Sequence, residues 1–262
     1  MPSPRPSVGF ADHLAALRVA ADRLCTSATA ASLDAPVPTC PGWTVRELLA
    51  HQGMVHRWAT AHVTGDSEGQ RETDAVEAAG LTEPDPVAWL RAGAETLVAA
   101  LESAPADLRA LVFLKDPPTP REFWARRQCH ETTVHAVDAL AAQLGRMPSA
   151  SETAIGAPLA VDGVDELVTG FLTRGKARLR SEPPLRIALC PSDSEAAWLL
   201  EVGLAPVVTT RHTAESVPEA DVTLGGTAAQ VYLGLWNRGD EIATDDDSAL
   251  ALWRELARIT WA

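Results

Sequence analysis

The sequence predicts an α+β protein, with a four-helix bundle over residues 1–147 followed by a small α/β domain over residues 148–262. Three observations carry this. Four long segments of the first half repeat their apolar residues at helical spacing. After Met147-Pro148 the period shortens towards two in several short runs rich in Val, Leu, Ile and Thr. A chain of 262 residues, at roughly 150 per domain, suits two modest domains.

The first helix spans about Val8 to Ala30, with Phe10, Leu14, Leu17, Ala21 and Leu24 on one stripe. A proline-bearing loop, Ala35 to Trp43, follows it. Thr44 and Glu47 have capping-box spacing and open a second helix that runs to about Gly65. Its apolar face is Val45, Leu48, Leu49, Val55 and Ala59. Asp66 to Glu83 is polar and reads as a long connection with room for a turn of helix. Asp85 and Pro86 begin a third helix carrying Val87, Leu90, Ala94, Leu97, Val98 and Leu101, limited by Pro105. Thr119, Pro120 and Glu122 supply the cap, first-turn proline and N3 carboxylate of the fourth, which stops at Gly145, a C′ glycine. Beyond the boundary one helix is expected from about Asp162 to Arg174. Strands are expected at Leu185 to Cys190, Ala197 to Val202, Val207 to Thr210 and Asp221 to Leu224, and closing helices at about Thr227 to Trp236 and Ser248 to Ile259.

Composition narrows the function classes. Hydrophobic residues at 46% and charged residues at 22% exclude a disordered or fibrous chain. Lys and Arg number 22 against 35 Asp and Glu, a net charge of −13 that repels phosphate backbones, so no nucleic-acid partner is expected. No apolar run approaches the roughly 20 residues of a membrane span, and Met1 to Phe10 lacks the apolar stretch of a signal peptide. A cytoplasmic monomer with no membrane partner is the expectation. Cys25, Cys40, Cys129 and Cys190 form no C-x-x-C pair and read as free thiols, most of them buried. Any metal must therefore be held by histidine and carboxylate.

The most informative segment lies on the fourth helix, from Trp124 through Arg126, Arg127, His130, Glu131 and His135 to Asp138. Glu131 and His135 are four apart and share one face, which is ligand spacing for a divalent metal. Asp138 follows three residues later, where it can hold an imidazole from behind. His130 sits roughly 140° around the helix from His135 and is left out. A third ligand must come from a facing helix. The second helix offers His51, His56 and His62, and geometry favours His51 or His62 over His56 without deciding between them. Three protein ligands leave an open position, the pattern of a catalytic zinc site. Against this, a Glu and His four apart are more often a solvated surface pair. Arg126 and Arg127 read as ordinary surface charges, and the tryptophans as core or rim packing. Gly225-Gly226 before Thr227 offers helix N–H groups to an anion, but no phosphate-loop, Rossmann or G-x-S-x-G motif is present.

Pro38-Thr-Cys-Pro-Gly-Trp43-Thr-Val-Arg-Glu-Leu-Leu-Ala-His51 resembles the opening signature of the actinobacterial mycothiol-dependent maleylpyruvate isomerase family. Phe123-Trp-Ala-Arg-Arg-Gln-Cys-His-Glu131-Thr-Thr-Val-His135-Ala-Val-Asp138 looks like its second signature. Asp162-Gly-Val-Asp-Glu-Leu and Leu233-Gly-Leu-Trp-Asn-Arg238 are similar to its C-terminal domain. The resemblance implies a DinB-like bundle that holds zinc through His51, Glu131 and His135, and a sterol-carrier-like second domain. It also implies a catalytic arginine, Arg238, although this chain reads Leu-Trp-Asn-Arg where many relatives read Leu-Trp-Gly-Arg. The implied cofactors are zinc, or another divalent metal, and mycothiol.

In that reading a thiol on zinc loses its proton near neutral pH and becomes the nucleophile. It adds to a conjugated cis double bond of an unsaturated keto acid such as maleylpyruvate, the resulting single bond rotates, and elimination gives the trans product. Arg238 and Arg127 would hold a substrate carboxylate. A mycothiol S-transferase or biosynthetic enzyme acting on an electrophile uses the same nucleophile. Two readings of other classes remain: a binding protein holding an apolar ligand beside Leu199-Leu200 and Val207-Val208, and a regulatory or stress protein.

Overall fold

The computed structural model describes residues 8–259. The chain divides into two compact units, Gly9–Phe113 with Pro117–Pro148, and the part following Ser149 together with Leu114–Asp116.

The first unit contains α1 (Phe10–Ala30), α2 (Val45–Thr64), α3 (Thr73–Thr82), α4 (Pro86–Ser103) and α5 (Pro120–Leu144). The capping boxes act as the sequence anticipates. Glu47 Oε2 accepts from the Thr44 backbone N–H at 2.6 Å, and Glu122 Oε2 accepts from that of Thr119 at 3.3 Å. Gly65 and Gly145 close α2 and α5 at φ 78° and 67°, in the left-handed region that glycine enters without steric cost. Leu24, Leu48, Leu49, Leu90 and Ala139 form the centre of one apolar cluster.

Two features depart from the sequence reading. The polar stretch after Asp66 folds into α3, a ten-residue helix. Its sole buried residue is Gly80, so it has no apolar stripe for periodicity to detect. The second departure is α5, which is buried at every position from Phe123 to Ala139. Arg126 and Arg127, expected as surface charges, are therefore interior groups. So are Glu131 and His135, which are not a solvated pair. An i,i+4 pattern reports which residues share a face, not how many neighbours enclose the helix. Burying this many polar side chains is costly unless each finds a partner.

The second unit opens with α6 (Ala150–Thr153) and α7 (Ala157–Asp165), which runs directly into a π-helix, Glu166–Phe171. The expected helix at Asp162 thus starts earlier, where Gly156 and Pro158 supply an N-cap and a first-turn proline. A five-stranded sheet follows: β1 (Leu185–Pro191), β2 (Ala196–Val202), β3 (Val208–Thr213), β4 (Val222–Gly226) and β5 (Ala243–Thr244), with α8 (Ala228–Leu235) between β4 and β5 and α9 (Asp247–Leu256) last. The spatial order is β3-β2-β1-β4-β5. Leu189 pairs antiparallel with Trp198 on β2 and parallel with Leu224 on β4. β5 has two residues, too few to show alternation, and was not anticipated.

Asp165 ties the π-helix to this sheet. It is fully buried and accepts from Trp198 Nε1 at 2.9 Å, Arg211 Nε at 2.6 Å and Arg211 Nη2 at 2.9 Å. The anion site suggested by Gly225-Gly226 does not materialise. Asp193 Oδ1 already accepts from the Ala228 backbone N–H at 2.7 Å, and Gln230 Oε1 from that of Thr227 at 2.8 Å. Cys25 and Cys129 are buried, whereas Cys40 and Cys190 are half-buried; all four are free thiols. Among the described residues no helix is long and apolar enough to cross a membrane.

Candidate metal centre

α5 carries Glu131 and His135 one turn apart, and α2 brings His51 against them. The three side chains each offer a donor atom, and these atoms lie within 4.8 Å of one another. His135 Nε2 is 3.4 Å from Glu131 Oε1. The rings of His51 and His135 meet edge to face, with centroids 5.3 Å apart.

Each α5 member of the cluster is held from behind. His135 Nδ1 lies 2.9 Å from Asp138 Oδ2, so Nδ1 keeps its proton and, once the ring is neutral, Nε2 is the nitrogen that presents a lone pair. Asp138 is itself buried, and its oxygens accept from Thr39 Oγ1 at 2.6 Å and Cys40 Sγ at 3.3 Å. Glu131 Oε2 accepts from Arg127 Nη2 at 2.7 Å, which leaves Oε1 towards the histidines. Trp43 closes one side, stacked on His135 at 6.3 Å and tilted over His51 at 5.0 Å. The turn that places it is tied by Val37 N–H to Trp43 O at 2.9 Å and Trp43 N–H to Cys40 O at 3.0 Å. Gly42, at φ 91°, supplies the left-handed residue.

Electrostatics follow from burial and this pairing. For Glu131, burial favours the neutral acid, but Arg127 and then His135 and His51 outweigh it and hold the carboxyl well below the usual range. Burial alone would lower His135, yet Asp138 and Glu131 prevail and raise it to about 9. His51 is pushed down to about 4, by burial first and by His135 second. At neutral pH the metal-free cluster therefore holds one carboxylate, one imidazolium and one neutral imidazole. The donor set suits a divalent cation: two imidazole nitrogens, one carboxylate oxygen and an open coordination position.

A pH dependence follows with a definite sign. A metal needs His135 deprotonated, so apparent zinc affinity should rise about tenfold per pH unit up to about 9 and then level off. Calorimetry in buffers of different ionisation enthalpy should show about one proton released per zinc at neutral pH. Zinc uptake with no proton release would contradict this arrangement. Without metal, the His135 contribution to stability is fully present below pH 6.5 and is lost as pH rises through about 9.

Residues 14–140 match the mycothiol maleylpyruvate isomerase N-terminal domain, and residues 158–253 match the MDMPI C-terminal domain. The chain belongs to the mycothiol-dependent maleylpyruvate isomerase family. The crystal structure of the mycothiol-dependent maleylpyruvate isomerase shares the fold at TM-score 0.58 and 15% identity, covering 91% of this chain and 93% of that one. A crystal structure of a histidine-to-alanine variant of that isomerase superposes at TM-score 0.59, also with 15% identity and the same coverage. No curated protein matches the chain.

Within the family frame the structure brings together His51, Glu131 and His135. The other candidates on α2 are elsewhere. His56 is fully buried, with Nε2 at 2.9 Å from both Gln52 Nε2 and Thr132 Oγ1. His62 stacks on Trp124 at 5.1 Å. His130 stands outside the cluster with its ring 6.1 Å from His13. Arg238 follows α8 in the second unit, half-buried, and donates from Nη1 to Trp236 O at 2.9 Å. Sequence reasoning missed Thr39 and Cys40 as supports of Asp138, although both lie inside the first signature. It also missed Glu77 on α3, whose Oε1 is 3.4 Å from His51 Nδ1. No motif or periodicity marks that residue.

Proposed function

We propose that this family member is a zinc enzyme that uses mycothiol as an activated nucleophile to isomerise a cis-unsaturated keto acid such as maleylpyruvate. One observation carries the reading: His51, Glu131 and His135 converge on one point while Asp138 and Arg127 hold the far sides of His135 and Glu131. Zinc bound there would lower the pKa of a thiol in the open position so that the thiolate predominates near neutrality.

The protein's own groups divide the remaining work. Asp138 keeps the Nδ1 proton on His135 so that Nε2 remains a donor. Arg127 keeps Glu131 ionised and turned towards the histidines. Trp43 covers the imidazoles on one side and limits water there. Arg238 is assigned to the substrate carboxylate, with residues 1–147 as the metal-binding domain and 148–262 as the domain that supplies this arginine.

Zinc-loaded protein, mycothiol and maleylpyruvate provide the test. The expected result is conversion to the trans isomer with all free thiol recovered, and no conversion when the thiol is omitted. Thiol consumed in proportion to substrate would replace isomerisation by S-transfer. No reaction of maleylpyruvate or of other electrophiles would end the mycothiol reading.

A further inference from the structure

We propose that Glu77 is a positioning residue for the metal centre, holding the Nδ1 edge of His51 so that Nε2 faces Glu131 and His135. The inference rests on the metal reading above and extends it to a residue outside both signatures.

The geometry begins with two carboxylate–histidine contacts. His135 has Asp138 at 2.9 Å from Nδ1, and His51 has Glu77 Oε1 at 3.4 Å from the same ring position. Glu77 is not among the residues whose donor atoms cluster, whereas His51 is. With a carboxylate at Nδ1, the nitrogen left for the cluster is Nε2. Ligating imidazoles commonly donate their second N–H to a carboxylate, which fixes both ring orientation and tautomer; here the Glu77 oxygen stands at contact distance from that nitrogen, poised for such a bond. The Glu77 contact is longer and more exposed than that of Asp138, so its effect is expected at the lower end of the range.

The docking of α3 supports the assignment. A helix whose sole buried residue is a glycine gains little from its own apolar surface. It is nonetheless pinned. Trp89 of α4 occupies the space left by two glycines: a Cβ on Gly53 would lie 2.1 Å from the Trp89 ring, and one on Gly80 2.7 Å from it. Arg57 stacks over that ring at 3.7 Å and donates to Gly53 O and Trp89 O, each at 2.9 Å. Arg46 donates to Leu81 O at 3.3 Å and Glu83 O at 3.2 Å, securing the end of α3. Glu77 precedes Gly80 by three residues and so shares the face that Trp89 pins. What this docking delivers is a carboxylate beside His51.

The test is zinc affinity by chelator competition, combined with long-range 1H–15N NMR of the His51 ring in zinc-loaded protein. In the wild type, His51 should carry its proton on Nδ1 and bind zinc through Nε2. Glu77→Ala should weaken zinc binding about tenfold, and Glu77→Gln, which retains an acceptor, should recover part of the loss. Gly80→Ala, whose Cβ would crowd the Trp89 ring at 2.7 Å and the Ala50 backbone at 3.1 Å, should weaken binding in the same direction. Combined with Glu77→Ala it should add nothing further, because both act through one contact. Wild-type affinity in Glu77→Ala, or zinc on Nδ1 of His51, would overturn the inference while leaving the metal site standing. A wild type that takes up no zinc would remove both.

Discussion

His135→Ala should leave purified protein without stoichiometric zinc, where the wild type retains about one per chain after dialysis against metal-free buffer. The loss should exceed the ~10–100-fold that removal of an outer hydrogen-bond partner costs, because a ligand itself is gone. The substitution also strips Asp138 of its imidazole. That carboxylate is fully buried and would lose its imidazole while Thr39 and Cys40 still donate to it. The variant should therefore be both metal-free and less stable than the metal-free wild type. The proposed isomerase activity should fall with the metal and should not return on adding zinc. Elemental analysis of the two proteins side by side reads the first part, and zinc retained by the variant at the wild-type level would sink the ligand assignment.

Arg127→Met should cost about 3–5 kcal/mol of stability, the range seen when one partner of a buried ion pair is removed. Arg127 and Glu131 are both buried and meet at 2.7 Å. Without the guanidinium, the Glu131 carboxylate keeps His135 on its other oxygen but faces an apolar methionine on this one. Its pKa should rise towards the ordinary range, so that acid protonates it sooner. The double variant Arg127→Met/Glu131→Gln should recover much of the loss, since no uncompensated charge remains. Urea unfolding of the metal-free wild type, of Arg127→Met and Glu131→Gln, and of the double variant measures these changes. A double variant as unstable as the sum of the two single changes would show that the pair is not the source of the cost.

The site was partly legible. Glu131, His135 and Asp138 lie on one helix within eight residues, and a local repeat suffices to place them on one face. Helix geometry favoured His51 and His62 over His56 but could not choose between those two, because both project from α2 and differ in what packs opposite. Resemblance to the family signature selected His51, and the structure brings it to the cluster. Glu77 is the opposite case. It lies in a polar stretch with no apolar stripe, and its helix is positioned by a tryptophan on α4 and two glycines rather than by its own sequence pattern.

What the sequence by itself determined is therefore local: the four long helices and their caps, the change of period after Met147-Pro148, and the Glu131–His135 pair. Capping and periodicity are properties of a few consecutive residues and do not depend on neighbours in space. Only the tertiary structure decided that α5 is enclosed, that Arg126 and Arg127 are interior, that Asp138 is held by Thr39 and Cys40, and that α3 reaches His51. Each of these rests on residues distant in the chain meeting in a low-dielectric interior. There burial and pairing, rather than residue type alone, set what a charged group costs and which charge state it adopts.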